Sequence, residues 1–286
     1  MSKTVVTYPI VAALVAAERI AGPDREWKPA NPKQRRFLTE FFEICRRERV
    51  SEIQSLASWR AEEINKFLRE RGFLIQLQPF AQNTFGVASI LDLLVEWLQK
   101  GEVTKIETKT QKTFPGVRIK EENVSFFKAI GHNEPIARLL TKSGDEVFMT
   151  MVGKIPAEDF DLVAKVEELS NNIRPNSEFG GLVFPMVDLD QKVDISWLRD
   201  LQTICSDGTP GIITQALQQT KLKMNEVGAR VQSAVAVAML KGISMHKPDH
   251  IINRPFLMWI ERNGLEQPLF VGYITEEDWK NPGSLT

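Results

Sequence analysis

Apolar residues recur at helical spacing through the first hundred positions, and at alternate positions through much of the rest. Tyr8 to Ala17 is an apolar run introduced by Thr7 and Pro9, which predicts a short helix. After a Pro-rich connector from Gly22 to Pro32, the segment Gln34 to Arg49 carries Phe37, Leu38, Phe41, Phe42, Ile44 and Cys45 on one helical face. A second pattern, Ser51 to Arg71, places Ile53, Leu56, Ile64, Phe67 and Leu68 at the same period, with Gly72 as the stop. A third predicted helix, Ala88 to Lys100, holds Ile90, Leu91, Leu94, Val95 and Leu98 and ends at Gly101.

The period changes beyond this point. Val117 to Ile130 mixes alternation with charge, and "PIARLLTKSGDEVFMTMVG" reads as two strands joined by a turn at Lys142 to Asp145. Ala157 to Ser170 returns to helix, and Asn171 to Gly181 reads as a loop. "LVFPMVDLDQKVDISWLRDL" predicts a strand followed by a helix starting near Asp194. The tail "PFLMWIERNGLEQPLFVGYI" is a hairpin, with two apolar strands around Asn263-Gly264. Helices first and antiparallel strands later give an α+β fold. The 286 residues suit one large domain or two small ones.

Composition narrows the function classes. With 36 basic and 37 acidic residues the net charge is -1, so neither nucleic acid nor an anionic membrane is an expected partner. No run reaches the roughly 18 apolar residues of a membrane span. Cys45 and Cys205 stand 160 positions apart in apolar segments, which predicts two free thiols rather than a disulfide framework. Free thiols and Glu18-Arg19 directly behind the first apolar run favour a cytoplasmic location, with secretion as the alternative. Asn123-Val124-Ser125 is a glycosylation sequon that matters only in that alternative.

Catalytic patterns are scarce. His246 and His250 are four apart, but Pro248 between them opposes the regular helix that a shared metal would need. "EFGGL" lacks the Lys-Ser/Thr of a phosphate loop, and no Gly-x-Ser-x-Gly elbow occurs. Asp188, Asp190 and Asp194 fit a strand-to-helix junction with a capping Asp. No enzyme activity, cofactor or metal is expected.

Four C-terminal pieces carry a family resemblance. Phe184-Pro185-Met186 stands in a strand, "VDISWLRDLQTI" follows it, "KLKMNEVG" ends in Asn-Glu-x-Gly, and "IINRPFLMWIERNGLEQPLFVGYI" holds Asn253-Arg254-Pro255-Phe256. In that order and spacing they resemble the C-terminal part of a serpin; Gly228 to Pro255 spans 27 positions, close to that family's loop. "TFGVASILDLLVEWLQKGEVTKIE" is loosely similar to an upstream segment of the family, and residues 1–80 match only in being helical. The chain is therefore similar to a compact, divergent serpin: one domain over 1–286, mostly helical over 1–80 and sheet-rich over 114–286. Its shortage before Phe114 leaves a reduced main sheet open.

The resemblance implies a bait loop. Its hinge would be Asn225, Glu226, Gly228, Ala229, Arg230 and Val231, and the scissile region Lys241, Gly242, Ile243 and Met245. A serine protease would cut the loop, and the freed arm would enter the main sheet as a new strand. Period-two counting puts Ala229, Val231, Ser233, Val235, Val237 and Met239 on one face, all apolar or small, so insertion is allowed. Inhibitory members usually carry other residues where Ala229, Arg230, Val231 and Gln232 stand. The alternative is a non-inhibitory serpin-fold module that binds another protein, or serves structurally, through the same surface; an apolar core helix over Ala229 to Leu240 is the competing reading of the arm, second to the bait loop.

Overall fold

The structure is a computed structural model that describes residues 1–22, 26–81, 84–93, 95–156, 159–171, 173–229 and 247–285. It opens with β1 (Lys3–Val5) and α1 (Tyr8–Ala21). Pro9 sits in the first turn of α1, and Gly22 ends it at φ +118°. The helix predicted from Gln34 is present as α2 (Pro32–Phe37), a π-helical turn (Leu38–Phe42) and α3 (Glu43–Cys45). The Asn31 side chain caps it by accepting the Gln34 N–H at 2.9 Å.

The next two predicted helices need correction. Ile53 and Leu56 lie on β2 (Ile53–Ser58), and only Ala61–Glu70 is helical, as α4. The Ser58 hydroxyl accepts the Arg60 N–H and donates to the Glu63 carboxylate, which ties the end of β2 to the first turn of α4. Ala88 to Lys100 is not a helix but β3 (Gly86–Leu91) and β4 (Val95–Glu96). Ala88 and Ile90 fit an alternating pattern as well as a helical one, and antiparallel pairing of β3 with β2 decides between them.

The following strands are β5 (Glu102–Glu107), β6 (Thr113–Lys120), β7 (Val124–Ala129), β8 (Ile136–Leu140) and β9 (Glu146–Met151). The turn between β8 and β9 has Gly144 at φ +83°, in the stretch expected to turn. Helix α5 (Asp159–Asn171) follows, then β10 (Ile173–Asn176), which replaces part of the expected loop. β10 forms because Ile173 to Asn176 find the free edge of β7.

Next come β11 (Gly181–Pro185) and β12 (Val187–Val193). The helix expected near Asp194 is a single 3-10 turn, Ser196–Leu198. Asp194 accepts the Ser196 N–H as a cap should, but the buried Gln34 side chain takes the carbonyls of Trp197 and Arg199. Those acceptors are thus bound to α2 rather than to a further helical turn. β13 (Gln202–Ile204), β14 (Pro210–Ile212), β15 (Gln218–Met224), β16 (Gly228–Ala229), β17 (Asp249–Ile251), β18 (Phe256–Glu261) and β19 (Phe270–Ile274) complete the order.

Seven strands form one antiparallel sheet in the order β1-β19-β18-β9-β8-β7-β10. The C-terminal hairpin supplies its second and third strands. Trp259 on β18 is fully buried and stacks on Phe148 of β9, with ring centres 5.1 Å apart and planes at 6°. A second sheet has the order β17-β11-β6-β5, with β17 parallel to β11. Among the described residues β12 and β15 pair only with each other. No helix among the described residues is long and apolar enough to cross a membrane.

Both cysteines are free thiols. Burial pushes the Cys45 thiol up to about 12, so it stays protonated and unreactive at neutral pH. Cys205 is partly exposed. In the native protein a thiol reagent is expected to modify Cys205 within minutes and Cys45 only on unfolding. Mass spectrometry after brief labelling checks this; rapid labelling of both would contradict the packing around Tyr8 and Cys45.

Candidate functional site: a strand reversal beside an open slot

β15 pairs with β12 over its full length, from Val187↔Met224 to Val193↔Gln218. At Met224 the chain leaves the strand and turns back on itself. The Asn225 N–H donates to the Gly228 carbonyl at 3.1 Å, and the Asn225 side chain accepts the Val227 N–H at 2.9 Å. The same side chain donates to the Gly283 carbonyl at 3.0 Å, fixing the turn to the C-terminal segment. An Asn that satisfies its own turn in this way is a common reversal device.

After the turn, Gly228 and Ala229 pair antiparallel with β4, in the register Gly228↔Glu96 and Ala229↔Val95. Two more backbone bonds extend the contact: Trp97 N–H to Val227 O at 3.3 Å, and Gly101 N–H to Glu226 O at 2.8 Å. The indole N–H of Trp97 donates to the Asn225 carbonyl at 3.0 Å. Trp97 itself is buried, edge-on to Phe184 of β11 at 5.7 Å. Gly228 has φ +144°, and a Cβ there would stand 2.5 Å from both Glu96 Cα and the Val95 carbonyl. Only glycine fits this approach.

Electrostatics hold β4 in place. Glu96 is buried, and its carboxylate meets Lys142 Nζ at 2.9 Å, while the Lys142 N–H donates to the Glu96 carbonyl. Glu226 faces Lys100 at 3.5 Å on the surface.

Beside the turn lies a cavity of about 430 Å³. α1 contributes Ile10 and Leu14, β3 Ile90, β15 Leu222, and the stretch after α4 Phe73 and Leu77. β15 is bonded to β12 on one edge and β3 to β2 on one edge; among the described residues neither has a strand partner on the other. The cavity is therefore an apolar slot between two unpaired strand edges, and the chain reverses at its end.

At the far end of the 230–246 segment the chain is anchored again. β17 adds to β11, and Arg118 grips Asp249 with two bonds of 2.6 and 3.1 Å. His250 is buried on β17 against Phe126 and Phe179, and burial holds its imidazole below the usual histidine range.

Of the residues singled out from sequence, the structure brings Asn225, Glu226, Gly228 and the backbone of Ala229 together at the slot. Arg230, Val231, Lys241, Gly242, Ile243, Met245 and His246 lie outside the described residues. Sequence reasoning missed Glu96, Trp97 and Gly101, because "VEWLQKG" reads as the end of a helix. No local signal marks them, since their roles depend on pairing with the reversal that follows β15.

Residues 195–276 match the family model described as Serpin (serine protease inhibitor). A solved structure of thyroxine-binding globulin in complex with thyroxine superposes with TM-score 0.55 at 12% identity, over 96% of this chain and 92% of that one. Serpin48, a highly specific serpin of the insect Tenebrio molitor, gives TM-score 0.53 at 12% identity, over 96% and 91%. Human thyroxine-binding globulin in a second structure gives 0.53 at 12% identity, over 95% and 91%. The chain has the serpin fold, and over residues 195–276 it carries the sequence pattern of the serpin family.

Proposed function

We propose that the protein is a serine-protease inhibitor that works by loop cleavage and strand insertion. One observation carries this reading: after the reversal at Asn225 the chain begins an antiparallel strand at Gly228–Ala229, at the end of a slot bordered by strand edges that have no partner among the described residues. The next residues in the chain, Arg230 to Met239, alternate so that Val231, Ser233, Val235, Val237 and Met239 share one face. Continued in the register of β16, that face would fill the cavity while the backbone bonds to the two open edges. Strand addition of this kind is a general recognition mode.

In this reading a serine protease attacks a peptide bond in the region Lys241, Gly242, Ile243 and Met245. Its serine oxygen bonds to the carbonyl carbon, the peptide bond breaks, and the new amino terminus leaves with Lys247 and β17. The acyl-enzyme then travels with the arm. The inhibitor is used up rather than turning over, so it is not a catalyst, and no cofactor enters. A cytoplasmic setting agrees with two free thiols.

A second reading keeps the fold without inhibition. Arg230, Val231 and Gln232 begin the arm with a charge and bulk that resist rapid entry into an apolar slot. The protein would then be a binding module. Incubation with a panel of serine proteases separates the two. Inhibition predicts a detergent-stable covalent complex with at least one of them; cleaved protein and free, active protease throughout would leave the binding module.

A further inference from the structure

Residues 72–80 connect α4 to β3 and belong to no strand, yet they lie along β15 in a fixed register. Lys221 Nζ donates to the Gly72 carbonyl at 2.7 Å. The Gln219 side-chain carbonyl accepts the Leu74 N–H at 2.9 Å. The Gln215 side chain accepts the Gln78 N–H at 2.8 Å and donates to the Gln78 carbonyl at 3.2 Å. Each step forward along 72–78 is matched by an equal step backward along 221–215. The segment is thus antiparallel to the 215–221 stretch that leads into β15, but joined to it through side chains instead of a backbone ladder.

This choice of bonds has a spatial meaning. A backbone ladder would hold two chains roughly 4.8 Å apart. Glutamine and lysine bridges place the segment a side chain's length away and leave the open edge of β15 unspent. The segment also alternates: Phe73, Ile75 and Leu77 line the slot, while Leu74, Gln76 and Gln78 face solvent. The Lys221 ammonium stands 5.7 Å from the centre of the Phe73 ring. Toward its far end the segment is pinned back onto α4, since Asn65 both accepts the Leu77 N–H at 2.8 Å and donates to the Leu77 carbonyl at 2.9 Å.

We propose that residues 72–80 form a lid over the slot, and that its release from Gln215, Gln219 and Lys221 gates the entry of the arm that follows Gly228. The gating half rests on the insertion reading above; the lid itself does not. The tethers to the 215–221 stretch are a few ordinary hydrogen bonds, and the apolar side of the segment packs on the small cluster of Ala61, Ile64, Leu68 and Leu77 rather than on the main core, so the lid opens with that cluster and without unfolding the main body. The pin at Asn65 keeps it attached on the α4 side, so it swings rather than detaches.

The test joins the lid to β15. Leu74→Cys and Gln219→Cys in a Cys205→Ser background are linked by a short thiol cross-linker. The linked protein should be cut by a protease within 230–246 as readily as the unlinked one, yet lose the rise in melting temperature that cleavage gives the unlinked protein. An equal rise in both overturns the gate. Should the unlinked wild-type chain show no rise at all, the insertion reading fails instead, and amide exchange judges the lid. Exchange at Leu74 and Gln78 through local opening, accelerated about tenfold by Gln215→Ala with Gln219→Ala while the β18 amides are unchanged, supports it. Exchange at those two amides only with global unfolding overturns it.

Discussion

Replacing Arg262 with alanine is expected to cost about 3–5 kcal/mol, because it strands a buried carboxylate. Arg262 follows β18 and forms two forked pairs. Its Nε and one terminal nitrogen donate to Asp145 at 2.6 and 3.0 Å, and the two terminal nitrogens donate to Glu52 at 2.9 and 2.6 Å. The Asp145 side chain is 1% exposed, so its charge has no water to fall back on. The guanidinium thereby ties the β8–β9 turn, the start of β2 and the C-terminal hairpin to one point.

The companion variants locate the effect. Arg262→Ala combined with Asp145→Asn removes the stranded charge and should recover a large part of the loss. Glu52 adds a pH signature. The hydrogen bonds from Arg262 hold its carboxyl down to about 2, against an ordinary value of 4.5. A carboxyl depressed on folding stabilises above its unfolded value, and the contribution is lost as pH falls from 4.5 through 2. The wild-type protein should therefore lose more stability across that window than Arg262→Ala does. Urea unfolding at several pH values measures both effects; a cost below about 1 kcal/mol for Arg262→Ala would show that the forked pairs do not hold the three segments.

The second large effect is functional. Gly228→Val should abolish any gain in stability on loop cleavage while leaving the body folded. A valine Cβ would overlap Glu96 Cα and the Val95 carbonyl at 2.5 Å, and φ +144° is costly for a β-branched residue. The β16–β4 pairing would open, taking with it the bonds from Trp97 and Gly101. The uncleaved protein should lose about 1–3 kcal/mol from the strained residue. Gly153→Ala is the control, since nothing lies within 4 Å of a Cβ there and no left-handed φ is involved. Undiminished stabilisation of cleaved Gly228→Val would mean that the strand start at Gly228 is not where insertion begins.

How much of this was legible before any coordinates depended on whether the signal was local. The β8–β9 turn and the Asn263-Gly264 hairpin follow from alternation plus a turn residue, and both stand where expected. Residues 53–58 and 86–91 carry Ile and Leu at spacings that fit helix and strand alike. Their identity rests on mutual pairing of residues as far apart as Ile53 and Leu91, which no local window contains. The 3-10 turn at Ser196 is likewise decided from a distance, by the Gln34 side chain. At the strand reversal, Asn225, Glu226 and Gly228 stood out from their Asn-Glu-x-Gly motif. Trp97 could not, because its role appears only when β15 delivers the turn to β4. The slot was least legible of all, since it is defined by edges without partners.

The central claim is that the slot receives the chain segment that follows Gly228. Differential scanning calorimetry before and after a single cut between residues 241 and 246 tests it most directly. Burying the apolar face of the arm at about 1.5–3 kcal/mol per large side chain predicts a rise in melting temperature of at least about 10 °C. An unchanged or lower melting temperature in the cleanly cut protein, with both fragments still associated, would contradict it.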